Sequence, residues 1–147
     1  MIVYLDTSAI VPILIAEATS DICREIWQAA ARRVCLRLTY IETAAALSMA
    51  ERRQRITSEE HDRAWANFLA IWPDVDVIDL TEELADSAAQ LARNQSLRGF
   101  DAAHGAAAAA LSDSELVAVT GDTALLAAWR SLGVSVLDTN YRNPSDQ

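Results

Sequence analysis

The chain has 147 residues, a net charge of −9 and 52% hydrophobic residues, and its 12 basic residues are all arginine. That length suits one domain that buries roughly two-thirds of its unfolded surface without staples, and Cys23 and Cys35, in no CxxC or Cys/His cluster, read as free thiols in a reducing, cytoplasmic setting with no leader stretch. The acidic balance excludes a broad basic face for gripping nucleic acid, the lack of lysine excludes any lysine-dependent mechanism, and no apolar run nears the roughly 20 residues of a membrane span.

Ile2-Val3-Tyr4-Leu5 is a short apolar run of strand formers that ends on Asp6-Thr7-Ser8. It reads as a buried strand that delivers Asp6 to its tip, followed by a short helix over Ala9 to Ile15. Thr19 or Ser20 is expected to cap a second helix to about Arg32, and Val34 to Leu38 reads as a strand. Thr39-Tyr40-Ile41-Glu42 leads into an Ala/Leu/Met-rich helix that ends near Arg53, with Thr39 and Glu42 spaced as a capping box. Thr57-Ser58-Glu59-Glu60 carries the same start signal for a helix that Pro73 stops near Trp72. Val75 to Leu80 reads as the third strand, Thr81 opens a helix to about Gln95, and Arg98-Gly99-Phe100-Asp101 introduces an alanine-rich helix to Leu111. Glu115 to Thr120 is the fourth strand, ending at Gly121-Asp122. A helix over Thr123 to Leu132, closed by Gly133, precedes a fifth strand at Val134 to Leu137. Residues 1–140 are read as a single domain and 141–147 as a loosely ordered tail.

Strands alternating with helices throughout predict a parallel sheet covered on both faces, an α/β/α sandwich. In such a sheet the strand-to-helix turns open on one edge. Asp6 follows strand one, Glu42 sits in the first turn after strand two, Asp101 opens the alanine-rich helix and Asp122 follows strand four. Each alone is explained as a helix-start acid that accepts backbone N–H groups and complements the helix dipole. Three of the four are steered to one rim by topology alone; together, with no lysine and no evident arginine at those turns, four carboxylates brought close would raise one another's pKa and call for a cation. Oxygen-only ligands point to Mg²⁺ or Mn²⁺, not to a closed zinc site.

Asp6-Thr7-Ser8 after an N-terminal strand, Glu42, Phe100-Asp101-Ala102 and Thr120-Gly121-Asp122 with Ala124-Leu125-Leu126 resemble a PIN-domain ribonuclease of the VapC toxin type. The resemblance runs from residue 2 to about 138. It implies a five-stranded parallel sheet, an Mg²⁺- or Mn²⁺-dependent endoribonuclease, frequent homodimerisation and a small cognate VapB-like antitoxin. Asp6, Glu42, Asp101 and Asp122 match the family's acidic quartet, as catalytic and metal-holding residues, and Thr7, Ser8 and Thr120 match its supporting hydroxyls.

His104, three residues after Asp101, falls near the same helical face, where it meets metal, substrate or a carboxylate, or is simply a hydrogen-bonded core histidine. Arg52, Arg53 and Arg55 form a basic cluster read as a solvated helix C-terminus, with RNA contact as the alternative. Trp27, Trp65, Trp72 and Trp129 read as core or interface residues. Val11, Ile13, Leu14 and Ile15 either bury against the fold or line a groove for a partner helix. Phosphoaspartate enzymes and P-loop proteins are excluded for want of lysine and of GxxxxGK[ST]. A silent binding module and a metal-dependent DNA nuclease are the competing functions.

Overall fold

The computed structural model describes residues 1–111 and 113–141. Its strands are β1 (Ile2–Leu5), β2 (Arg32–Leu36), β3 (Asp76–Ile78), β4 (Leu116–Thr120) and β5 (Ser135–Asp138). They form one parallel sheet in the order β3-β2-β1-β4-β5. The helices are α1 (Thr7–Leu14), α2 (Ser20–Ala29), α3 (Leu38–Arg52), α4 (Ser58–Ile71), α5 (Glu82–Asn94), α6 (Gly99–Ala110) and α7 (Thr123–Ser131).

The period of two along β1 divides the core. Val3 and Leu5 pack with Ile10 of α1, Ile26 of α2 and Phe68 of α4. Tyr4, between them in sequence, faces the other side with Leu84 of α5, the α6 alanines and Trp129 of α7. The result is the expected three-layer sandwich. Alanines at 102, 103, 106, 107 and 108 are all buried, which lets α6 lie close to its neighbours. Trp129 fits against that helix and donates its indole N–H to Gly105 O at 3.2 Å.

Most expected elements form within a few residues of their sequence signals. The capping box at Thr57 and Glu60 is present in both directions, and Gly133 turns the chain at a φ of 77° after α7. Two local expectations fail. The second helix stops at Ala29, three residues early, and Arg33 donates to the Trp27 carbonyl at its end. Strand β2 therefore begins at Arg32, which bonds Asp76 of β3 across the sheet and sits in register with Ile2. The second capping box, at Thr39 and Glu42, does not form. Helix α3 begins at Leu38 with no side-chain cap, Thr39 Oγ1 is buried without a hydrogen-bond partner among the described residues, and Glu42 lies one turn inside the helix.

Val11 and Ile15 are buried against Leu47, Ala50, Ile56 and Ala64 of the α3–α4 region. The apolar first helix is thus largely used by the fold itself. Among the described residues no helix is long and apolar enough to cross a membrane. The loose tail expected at 141–147 lies, apart from Tyr141, outside the described residues.

Candidate active site

The sheet order reverses between β1 and β4, the crevice where parallel α/β sheets bind ligands beyond the strand carboxyl ends. Asp6 leaves β1 there and Thr120-Gly121-Asp122 leaves β4 beside it. The Asp6 N–H reaches Val119 O at 3.4 Å, so the two strands hold register up to the site.

Asp6 occupies the N-cap position of α1, yet its side chain caps nothing. The carboxylate, 5% exposed, instead accepts Ser8 Oγ–H at 2.6 Å and the Thr120 hydroxyl on its other oxygen. Each hydroxyl has one proton to give. With both spent on Asp6, the 3.3 Å approach of Ser8 Oγ to Thr120 Oγ1 is a contact between acceptors. Those oxygens accept in turn from the next segment: Gly121 N–H donates to Ser8 at 2.9 Å and Asp122 N–H to Thr120 at 3.0 Å. Asp6 is thereby tied through two hydroxyls to the backbone that carries Asp122. Gly121 suits that turn, because a Cβ there would sit 2.8 Å from the Thr139 hydroxyl and 3.0 Å from Asn140 Nδ2 and force those side chains to shift.

Burial raises the Asp6 pKa, and the nearby His104, the two hydroxyls and the Ala9 backbone N–H only partly offset it. Asp101, in the first turn of α6, is likewise raised by burial and then by the charges of Asp122 and Glu42; His104 and Arg98 pull the other way. Arg98 is therefore a positive charge at a turn where the sequence suggested none. Asp122 does serve as an N-cap, accepting Leu125 N–H at 2.8 Å. For Asp122 the helix-start explanation holds, while Asp6 makes no such bond and α6 has no side-chain cap.

Glu42 is held by two donors on one oxygen. Thr7 Oγ1–H reaches Oε1 at 2.9 Å and His104 Nε2–H reaches the same atom at 2.6 Å. The other ring nitrogen of His104 meets Tyr4 OH at 2.7 Å, in the core. A carboxylate only accepts, so the proton lies on Nε2. Burial raises the Tyr4 pKa, so the phenol keeps its proton and hydrogen-bonds Nδ1 as a neutral partner. Burial also opposes ionisation of Glu42, but the bond and charge of His104 and the Thr7 bond outweigh it and hold the carboxyl below its ordinary value. The buried histidine thus bonds a carboxylate and a core phenol. Its pairing with Tyr4, 100 positions away, carries no local sequence signal.

The donors suit a hard divalent cation in kind: oxygens only, with a desolvated carboxylate at Asp6 that has hydroxyl donors but no bonded cation. Among the described residues no three His, Cys, Asp or Glu side chains converge as a ready-made metal cage. The Arg52–Arg53–Arg55 cluster lies at the end of α3, where Arg52 bonds Ser48 and Arg55 pairs with Glu17. Trp65 and Trp72 belong to an aromatic cluster with Tyr40 and Phe68, and Trp27 stacks under Arg33.

The PIN domain family profile matches residues 3–128. The chain belongs to the PIN-domain family. Within it, this PIN domain is 35% identical over 127 residues to Ribonuclease VapC45 of Mycobacterium tuberculosis, covering 84% of this chain and 86% of that one. Ribonuclease VapC49 of the same species matches equally. The fold is shared with FitAcB from Neisseria gonorrhoeae, with a TM-score of 0.72, 17% identity and coverage of 95% and 99% of the two chains. It is shared also with the M. tuberculosis Sarcin-Ricin loop cleaving toxin VapC20, with a TM-score of 0.66, 18% identity and coverage of 86% and 94%.

Two outcomes follow for the metal-free PIN domain. Asparagine caps helices as well as aspartate, so Asp122→Asn keeps the α7 cap while removing a charge that repels Asp101. Urea denaturation in chelator is expected to find it unchanged or more stable, whereas Asp122→Ala loses about 1 kcal/mol. The raised Asp6 pKa makes the native state bind more protons than the unfolded one at pH values above the ordinary 3.8. Stability in chelator therefore falls as pH rises from that value through the folded pKa, and Asp6→Asn flattens the fall. The lowered Glu42 pKa acts in the opposite sense and lower, its contribution being lost as pH falls through the folded value. Denaturation midpoints from about pH 4.5 to about pH 7.5 measure the Asp6 effect.

Proposed function

We propose that this PIN-domain protein is the toxin of a toxin–antitoxin pair and hydrolyses RNA phosphodiester bonds at the Asp6–Glu42–Asp101–Asp122 rim. The observation that carries the reading is the desolvated Asp6 carboxylate at the β1–β4 crevice, held by hydroxyls and tied to Asp122. Its 35% identity to mycobacterial VapC ribonucleases supports the same reaction. The assigned cofactor is Mg²⁺ or Mn²⁺, which Asp6, Glu42, Asp101 and Asp122 would hold. When bound, the cation supplies polarisation of the phosphodiester and a lowered pKa for attacking water.

The chain's own groups do the rest. Ser8 and Thr120 fix both oxygens of Asp6 by hydrogen bonds. Thr7 and His104 commit Oε1 of Glu42 and keep the group ionised, which leaves Oε2 to accept a hydrogen bond from the attacking water and orient it. Asp122, fixed as the α7 cap, faces Asp101 across the rim, and their repulsion favours whatever positive charge enters with the substrate. A small VapB-like antitoxin and a second copy of the chain are the assigned partners, and the cytoplasm the assigned setting.

The test incubates the purified chain with a mixed RNA pool and with single-stranded DNA of matching length, in Mg²⁺ and in chelator, alongside Asp6→Asn. RNA cleavage in Mg²⁺ is expected to disappear in chelator and to drop by about a hundredfold or more in the variant, since even indirect ligand partners are worth 10- to 100-fold. Cleavage that persists in chelator or in the Asp6 variant would sink the proposal. Cutting of DNA instead of RNA would reassign the substrate.

A further inference from the structure

A cleft of about 400 Å³ opens at the start of α6, lined by Glu42, Arg98, Gly99, Phe100 and Asp101. Two of its walls are rim carboxylates. The other two side chains have no role in the fold: Phe100 is 60% exposed, and Arg98 is exposed and forms no hydrogen bond or ion pair among the described residues. Leu97 before them and Ala102 after them are buried, which pins the segment while leaving both side chains in solvent.

A single exposed aromatic is ordinary. This one is different because of its company. The protein's other large rings mostly pack on each other, as Tyr40, Trp65, Phe68 and Trp72 do; Phe100 has no ring neighbour among the described residues and stands beside Asp101. A chain of net charge −9 must also admit a polyanion to a rim of carboxylates, and Arg98 is the one cationic side chain lining this cleft.

We propose that Phe100 and Arg98 form a nucleotide subsite: a base of single-stranded RNA, adjacent to the bond being cut, stacks on Phe100 while a neighbouring phosphate pairs with Arg98. This rests on the RNA-cleaving reading and names where that substrate is held. Stacking on an aromatic face tolerates any base, so the subsite contributes grip and register and leaves sequence choice to other contacts. Arginine's planar fork suits the phosphate oxygens. A partner helix would need an apolar stripe, and the cleft offers one apolar ring among charged groups.

The experiment measures binding of a fluorescein-labelled mixed-sequence single-stranded RNA in Mg²⁺, in an Asp6→Asn background so that the RNA survives. Phe100→Ala is expected to weaken binding about five- to hundredfold, and Phe100→Trp to bind at least as tightly as phenylalanine. Arg98→Gln is expected to lower the slope of log affinity against log salt by about 0.7. Leu132→Ala, an exposed side chain at the opposite sheet edge, is expected to change nothing. Unaltered affinity in Phe100→Ala overturns the subsite. If Phe100→Ala changes only the sedimentation mass, the ring contacts protein and the subsite is again overturned. In either case cleavage by the parent chain keeps the functional reading standing. If the parent chain neither binds nor cuts RNA, both fall together.

Discussion

A carboxylate at the end of a buried strand is an expensive group to fold around, and the rim of this PIN domain is arranged by how Asp6 is accommodated. Its oxygens take the only protons that Ser8 and Thr120 have. Those hydroxyls are then left as acceptors for the Gly121 and Asp122 amides. One buried charge therefore sets the end of β1, the end of β4 and the turn that places Asp122 as the α7 cap. The arrangement also explains the glycine at 121, since a side chain there would collide with the Thr139 hydroxyl.

The four acids divide into different electrostatic situations, which a list of ligands hides. Asp6 is desolvated and satisfied only by neutral donors. Glu42 is the compensated member, with His104 and Thr7 on one oxygen and the core phenol of Tyr4 steadying the imidazole from behind. Asp122 has a structural duty as a cap, and Asp101 feels both Asp122 and Glu42 as repulsion. A rim that mixes a fixed, ionised carboxylate with others raised above their usual pKa is poised to take up positive charge. That property links the fold, which crowds the acids, to a reaction that develops negative charge on phosphate.

The sheet and its helices were legible in the sequence because their signals are local: period-two runs, the Thr57 box, Gly133 after α7. Topology then made the shared edge legible for Asp6, Glu42 and Asp122, since strand-to-helix turns of a parallel sheet all open the same way; Asp101 follows α5 and lay outside that argument. Where the reading failed, a long-range contact overrode a local rule. Thr39 and Glu42 have capping-box spacing, but His104 and Thr7 claim the glutamate, and the helix starts before it. Arg32 looked like the end of a helix, but its backbone runs in register with Ile2 of β1 and belongs to the sheet. The roles of His104 and Arg98 depend on side chains brought together only by folding, so spacing alone suggested proximity for the first and nothing for the second.

The central claim of the proposed function is that the four rim acids act as one cluster that takes up a divalent cation. Thermal unfolding of the parent chain and of Asp101→Asn, each with chelator and with saturating Mn²⁺, tests it most directly. The account predicts that Mn²⁺ at about a hundred times its dissociation constant stabilises the parent by about 2.7 kcal/mol, a rise of roughly 5–11 °C in Tm for a chain of this size, with a smaller rise in the variant. An unchanged Tm in the parent, or equal shifts in both proteins, would contradict it.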